Sequence, residues 1–122
     1  MDAMNDNEWC ATELTGGVLV FHLKGEMSAV LMPSVRTYFL EICKRTDFRG
    51  VVMDLDQVSA QSVEFLGNLV AFGKRIALGQ KRLILSVESN QSTTERLHKT
   101  GTGAALPIYS SLQEAILAAC SA

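Results

Sequence analysis

The run Val51-Val52-Met53-Asp54-Leu55 constrains the fold of this chain most. An apolar run that does not alternate with polar residues is typical of a strand covered on both faces. A helical apolar pattern follows it, and such a crossover helix is what parallel strands need. We therefore predict an α/β fold with Val51–Leu55 buried in a mixed, mostly parallel sheet.

An N-terminal hairpin should form an antiparallel edge of this sheet. Thr15-Gly16-Gly17 is turn sequence between two strand-like segments, and so short a link favours antiparallel pairing. In the second segment, Leu19, Phe21 and Leu23 share one face, while Val18, Val20 and His22 share the other. The predicted strands are Glu8–Leu14, Val18–Lys24, Val51–Leu55, Leu83–Val87 and Leu106–Tyr109, with a break at Gly25-Glu26-Met27-Ser28 after the second.

About four helices complete the prediction. Ser62 is a plausible N-cap and Gly79 a plausible end for the second helix, and Gly67 inside it is interpreted as a small residue that allows close packing on the sheet. Ser111 and Glu114 form a capping box at the start of the last helix. We predict one domain over residues 8–122 after a flexible tail, 1–7. The other helices are placed at about Ala29 or Met32 to Lys44 and at about Gln91–Thr100.

Composition excludes several classes of function. The net charge is −2, so the chain has no basic footprint for nucleic acid. No apolar run approaches the roughly 20 residues of a membrane helix, and the polar start Met1–Glu8 is no signal peptide. These features, with three scattered cysteines, predict a cytoplasmic protein.

Neither a metal site nor a catalytic set is indicated. The cysteines form no CxxC, and the only histidines are His22 and His98, so we expect no metal or cofactor and no enzyme activity. His22 is interpreted as a structural histidine. Asp54 and Asp56 resemble an acidic pair, but a loop-supporting role is favoured, because aspartate readily accepts hydrogen bonds from nearby backbone N–H groups.

The start of the second helix is the most informative point for function. Helix N-termini favour anions, and Glu64 places the chain's own carboxylate in the first turn. Two interpretations stay open: an ordinary favourable dipole interaction of roughly 0.3–1 kcal/mol, or a charge that replaces a regulated group.

Several motifs follow one another along the chain between about Gly17 and Ala118. They are Leu23-Lys24-Gly25-Glu26-Met27, Pro33 with Arg36, Val51–Leu55 with Val58, Leu97 with Thr100-Gly101, Leu106-Pro107-Ile108-Tyr109 and Ser111-Leu112-Gln113-Glu114-Ala115. In this order they resemble the sulfate-transporter and anti-sigma-factor-antagonist (STAS) domain, most of all small bacterial anti-sigma factor antagonists.

The resemblance implies a phosphorylation switch that this sequence has altered. In the family, a serine in an aspartate-serine-serine-glycine motif is phosphorylated at this helix start, which ends binding to a kinase-like anti-sigma factor. Here Ser62, Val63, Glu64 and Phe65 occupy the motif, with Glu64 at the phosphoacceptor position. Ser28 replaces a usual acidic residue, and Ser59 and Ser62 remain as shifted acceptors.

The resemblance therefore implies a non-catalytic, protein-binding regulator in a bacterial serine-kinase or two-component-linked signalling pathway. Its partner would be a kinase-like anti-sigma factor or related signalling protein, and homodimerisation stays open. Alternatives are a STAS subunit of a lipid-transporter ATPase and a small-molecule sensor with an apolar pocket beside the second helix. The predicted partner-binding residues are Ser28, Ser62, Glu64, Phe65 and Asn68, with Phe65 either an exposed anchor or a core residue.

Overall fold

The computed structural model describes residues 2–3 and 7–120, which form a sheet with helices on both faces. The strands are β1 (Asp2–Ala3), β2 (Cys10–Thr15), β3 (Val18–Met27), β4 (Gly50–Gln61), β5 (Leu83–Ser86) and β6 (Ile108–Tyr109). The helices are α1 (Met32–Arg45), α2 (Val63–Leu78), α3 (Gln91–Lys99), α4 (Thr102–Ala105) and α5 (Leu112–Cys120).

The sheet follows the chain in the order β1-β2-β3-β4-β5-β6. β2 and β3 pair antiparallel, and β3 to β6 are parallel neighbours. The turn between β2 and β3 uses Gly16 and Gly17 at φ +57° and +83°, which is the twist a two-residue hairpin needs. The predicted hairpin, the mixed sheet and the pairing of Val51–Leu55 with Leu83–Val87 are thus confirmed.

Part of the predicted tail pairs with the sheet. Asp2 and Ala3 lie antiparallel to Leu14 and Glu13 at the edge of β2. The rest of the segment predicted as a flexible tail, except Asn7, lies outside the described residues.

Two apolar cores occupy the two faces of the sheet. The larger contains Leu19, Phe21 and Leu23 of β3 beneath α1, α2 and α3. The opposite core, which we call the back core, lies under α5. The alternation predicted for β3 is therefore confirmed. The back core consists of Val18, Val20, Val52, Ile84, Ala115 and Ala119.

The strand break predicted at Gly25–Ser28 is wrong. β3 continues to Met27 through two register shifts, and Gly25 takes φ +87°, a conformation that glycine adopts without steric penalty. β4 in turn extends to Gln61, far beyond the predicted Leu55, because its second half stays paired with β3 up to Met27↔Gln61. The segment expected to be a loop is therefore strand, and it delivers the chain directly to α2.

The helices differ from the prediction mainly at α4. Ser62 and Gly79 cap α2 as expected. The Ser111 hydroxyl accepts from the N–H of Glu114 at 3.2 Å, as the capping box predicts. α4 forms where no helix was predicted, so five helices are present in the described chain instead of about four, and a short 3-10 turn, Ala29–Leu31, precedes α1.

Candidate functional site

The junction between β4 and α2 is held by the backbone and by Ser62. The Ser62 hydroxyl accepts from the N–H of Phe65 at 3.0 Å and so caps the helix. The N–H of Ser62 donates to the carbonyl of Met27 at 2.9 Å. This second bond ties the start of α2 to the end of β3, so that the turn Ala29–Leu31 lies beside the helix start.

The polar residues predicted at this site lie on its surface. Glu64 and Ser59 are exposed, and Ser28 and Ser62 are half-buried. Glu64 is the acidic residue of the first turn of α2, where the positive end of the helix dipole favours a carboxylate. Its carboxylate makes no hydrogen bond or ion pair with any described residue, so its charge projects into solvent.

Phe65 is not an exposed anchor. Its side chain is fully buried, on the same helical face as Leu69 and Phe72, which lie four and seven residues further on. That face packs on the sheet, so the ring belongs to the large core. The alternative of core packing is the correct one, and Phe65 offers a partner no side-chain surface.

Two valines that sequence reasoning missed supply the exposed apolar surface instead. Val63 begins α2 and is 72% exposed, and Val30 in the neighbouring 3-10 turn is 91% exposed. Neither valine belongs to a helical pattern of apolar residues. The one signal in the sequence is that Val63 lies out of phase with the buried residues of α2, which predicts a side chain that faces solvent. Contiguous exposed apolar surface that is rimmed by polar residues is typical of protein-binding sites.

Gly67 has no packing role, contrary to the sequence interpretation. It is exposed, and a Cβ added to it would meet nothing within 4 Å. The glycine that α2 needs for packing is Gly73, because a Cβ there would lie 2.5 Å from Cδ2 of Leu106. A groove of about 370 Å³ runs past Gly67 between Val63, Leu66 and Val70 on one side and the Thr100–Thr102 turn on the other.

Asn68 lies one turn beyond Glu64 in α2. It is half-buried and lines a cavity between α1 and α2. Because residues four apart share a helix face, Glu64 and Asn68 are neighbours at the surface. The structure thus brings Ser28, Ser62 and Glu64 together, places Asn68 at the margin of the group, and removes Phe65 from it.

The loop-supporting role inferred for Asp56 is present in the structure. Its carboxylate accepts from the N–H groups of Ser89 at 2.7 Å and Asn90 at 3.0 Å. Hydrogen bonds hold the pKa of Asp56 below its usual value. The bond from the Ser89 N–H has the largest effect, and burial opposes it less strongly. The Ser89 hydroxyl and the Asn90 N–H lower the pKa further. The Asn90 amide donates to the carbonyl of Val58 at 2.7 Å, so the start of α3 is fastened to the second half of β4.

His22 is a paired structural histidine. Its Nδ1 lies 2.7 Å from Oδ2 of Asp54, and its Nε2 lies 3.4 Å from Oε1 of Glu13. The hydrogen bond to Asp54 raises its pKa most; burial lowers it and Glu13 raises it further. Carboxylates face both ring nitrogens, which leaves neither free to serve as a general base.

Two further findings concern the described residues alone. No group of three or more histidine, cysteine or acidic side chains in residues 2–3 and 7–120 is placed to hold a metal ion. Within the same ranges, no helix is both long and apolar enough to cross a membrane.

Comparison with solved structures places the fold among anti-sigma factor antagonists. An anti-sigma factor antagonist from Mycobacterium paratuberculosis superposes with a TM-score of 0.78 at 22% identity, over 90% of this chain and 92% of that chain. The unphosphorylated form of the anti-sigma factor antagonist SpoIIAA gives a TM-score of 0.71 at 17% identity, over 88% of this chain and 92% of that chain. The phosphorylated form of the Bacillus cell fate determinant SpoIIAA gives 0.65 at 16% identity, over 89% and 97%.

Sequence comparison identifies the family independently of the coordinates. No curated protein matches the sequence significantly. The family model of the STAS domain, however, matches residues 10–115, from the start of β2 into α5. The chain is therefore a member of the STAS domain family.

Proposed function

We propose that this STAS domain is a non-catalytic regulator that binds a protein partner through the start of α2, in the manner of an anti-sigma factor antagonist. The partner is a kinase-like anti-sigma factor or a related signalling protein of a bacterial cytoplasm. The observation that carries the proposal is the surface composed of Val30, Val63 and Glu64, two exposed valines beside a free carboxylate. Ser28 and Ser62 complete it, and Asn68 forms its margin.

Glu64 gives this surface a permanent charge. A phosphoserine would carry about −1.5 to −2 charges and three acceptor oxygens, whereas Glu64 carries about one charge. The carboxylate is thus a partial and unregulated substitute for a phosphate. Solved structures of SpoIIAA exist in phosphorylated and unphosphorylated forms. In the present chain, we propose, binding no longer depends on a kinase.

Two serines remain at this junction. The Ser62 hydroxyl accepts the N–H of Phe65, and Ser59 is exposed near the end of β4. Neither occupies the position that corresponds to the family's phosphoacceptor, where this chain has Glu64. Incubation with ATP and the kinase encoded nearest in the genome, followed by intact-mass measurement, tests loss of the switch directly. We expect no added phosphate; stoichiometric phosphate on Ser59 or Ser62 would show that the acceptor has moved.

Calorimetric titration tests the binding surface. The titrant is the anti-sigma-factor-like protein from the genomic neighbourhood that a pull-down captures. Val30→Ser and Val63→Ser should each weaken binding about tenfold, since full burial of a valine side chain in an interface contributes about 1.5 kcal/mol. Leu78→Ser is the matched control, because Leu78 is 86% exposed at the opposite end of α2.

Thermal melts of each variant show whether the domain remains folded. If Leu78→Ser weakens binding as much as Val63→Ser, or if neither valine variant changes the affinity, the interface lies elsewhere on the domain. Glu64→Ser should change the affinity without unfolding, because only about 0.3–1 kcal/mol of dipole stabilisation is at risk.

A further inference from the structure

Positive charge is concentrated at one end of the domain. β3, β4 and β5 are parallel, so they begin at the same edge of the sheet, and α1 and α2 return the chain to that edge. Seven of the eleven Lys and Arg residues lie in the last turns of these helices or in the connections that follow them. These residues, which define what we call the basic end, are Lys44, Arg45, Arg49, Lys74, Arg75, Lys81 and Arg82. The net charge of −2 for the whole chain conceals this cluster.

Contacts bring the segments that carry these residues together. The Nζ of Lys81 lies 4.3 Å from the centroid of the Phe48 ring, so the connection after α2 packs on the connection after α1. Lys44 and Arg75 line one recess between the two helices. Burial raises the pKa of the Cys43 thiol to about 12, and the charges of Arg75 and Lys81 oppose that rise, so both cations lie near the end of α1.

The domain does not neutralise this charge. Six of the seven basic side chains are exposed, and Lys81 is half-buried. None of them forms an ion pair with a carboxylate in the described part of the chain. Arg82 donates a hydrogen bond of 3.4 Å to the carbonyl of Ala118, which is uncharged. Residues 41–49 and 74–82 contain two carboxylates, the exposed Glu41 and Asp47, so seven positive charges stand against two negative ones.

Helix dipoles account for only part of the cluster. The negative end of a helix dipole favours cations in the last turn, which applies to Lys44, Arg45 and Arg75. Arg49 and Arg82 lie outside the helices, directly before β4 and β5. The positive surface is therefore wider than the helix ends require.

An exposed leucine lies among these cations. Leu78 is the last residue of α2 and is 86% exposed. Lys74 and Arg75 precede it by four and three residues, which makes them its neighbours on the surface of the helix. Lys81 and Arg82 follow it by three and four residues. A large apolar side chain is thus flanked by basic residues on both sides along the chain.

This combination matches the chemistry of an acidic membrane surface. Basic side chains are attracted to acidic lipid headgroups, and an exposed leucine is stabilised when it enters the boundary between headgroups and acyl chains. Nucleic acid would use the charges through its phosphates but leave Leu78 in water. We propose that the basic end binds the surface of a membrane that contains acidic phospholipids, with Leu78 inserted between the headgroups.

Membrane binding would leave the proposed partner surface accessible. α2 has 16 residues and is about 24 Å long, with Leu78 at one end and Glu64 in the first turn at the other. A domain that docks through Leu78 therefore holds the start of α2 away from the lipid, where a partner can reach it. This consequence rests on the proposed function, whereas membrane binding itself is a property of the domain alone.

Co-sedimentation with lipid vesicles tests the proposal. The vesicles contain equal parts of phosphatidylserine and phosphatidylcholine, and vesicles of phosphatidylcholine alone serve as the comparison. We expect binding to the acidic vesicles only. Binding should decline strongly between about 0.1 M and about 1 M salt, because the Debye length falls from about 10 Å to about 3 Å.

Two pairs of variants test the location. Lys74→Gln should weaken binding to the acidic vesicles about fivefold, which is the effect of one basic side chain near such a surface. Lys24→Gln is its control and should leave binding unchanged, because Lys24 is exposed in the second half of β3, away from the basic end. Leu78→Ser should weaken binding about tenfold, whereas Val63→Ser, at the other end of α2, should not affect it. Thermal melts verify that all four variants fold.

Absence of binding to the acidic vesicles, or equal binding to phosphatidylcholine alone, would overturn the proposal. Equal losses in Lys74→Gln and Lys24→Gln, or in Leu78→Ser and Val63→Ser, would do the same. Gel-shift binding of a short RNA duplex, or salt-dependent self-association in analytical ultracentrifugation, in the absence of vesicle binding would assign the basic end to another occupant. Because Val63→Ser should weaken binding of the protein partner and Leu78→Ser binding of vesicles, failure of either proposal is distinguishable from failure of the other.

Discussion

Substitution of Gly67 by alanine should make the free domain more stable. Gly67 lies inside α2, is exposed, and has open space where a Cβ would be added. Alanine is favoured over glycine in a helix interior by about 0.8–1 kcal/mol, because glycine loses more backbone entropy on folding. With an unfolding entropy of about 2 cal/mol/K per residue, this gain should raise the midpoint of thermal unfolding by about 3–4 °C.

Gly73→Ala is the control within the same helix. It gains the same helix propensity, but its Cβ would overlap with Leu106, a buried side chain. Overpacking of this kind costs about 1–3 kcal/mol, so the substitution should bring no net stabilisation. Urea denaturation, followed by circular dichroism, measures both free energies of unfolding. Failure of Gly67→Ala to stabilise, or equal stabilisation by both variants, would refute the explanation.

Gly67→Ala also tests why the exposed face of α2 retains a glycine that destabilises the free domain. A glycine allows another chain to approach the helix backbone, and Gly67 lies in the groove that begins at Val63. If the partner occupies this groove, Gly67→Ala should weaken partner binding while it stabilises the free domain. An unchanged dissociation constant would exclude close contact at this position.

Two further predictions concern paired polar side chains. His22→Gln should destabilise the domain more at about pH 5.5 than at about pH 8.5. The raised pKa of His22 gives stability that is present below about pH 6.5 and is lost as the pH rises through the folded-state pKa. Urea denaturation measures the free energies of unfolding, and a difference between the original domain and His22→Gln that does not change with pH would contradict this. Asp56→Ala should cost roughly 1 kcal/mol at neutral pH, the size of an ordinary hydrogen bond, because the site is close to solvent; the exposed Asp47→Ala should have almost no effect. Since the pKa of Asp56 is lowered, its contribution should be present above about pH 4 and disappear as the pH falls through the folded-state value, and an equal cost at about pH 2 would be inconsistent with that origin.

Local patterns in the sequence predicted most of the fold. The alternation in β3 assigned Leu19 and Val20 to the correct cores, since side chains on a strand point to opposite faces. The capping residue Ser62 located the start of α2 to the residue, because a hydroxyl that accepts an early helical N–H is a local interaction. Neither prediction needed knowledge of distant contacts.

The features that the sequence did not predict depend on contacts between distant segments. The extension of β4 to Gln61 results from its pairing with a bulged β3. Because that pairing cannot be read from the local sequence, the composition of the segment after Leu55 indicated a loop. Phe65 was assigned to either environment, because its burial depends on the rotation of α2 over the sheet. The exchange of roles between Gly67 and Gly73 has the same cause, since only the position of Leu106 shows which glycine is crowded.

The strand order has a consequence for synthesis of the chain on the ribosome. Each strand from β2 to β6 pairs with the strand made just before it, so the sheet can grow at one edge as the chain emerges. The helices over the large core emerge in step with these strands. Within residues 2–3 and 7–120, by contrast, α5 is the only helix that covers the back core, and it is the last to be made. A nascent chain that ends before Leu112 therefore carries a nearly complete sheet with one apolar face open to water, and exposed apolar surface of this kind makes a folding intermediate prone to aggregate.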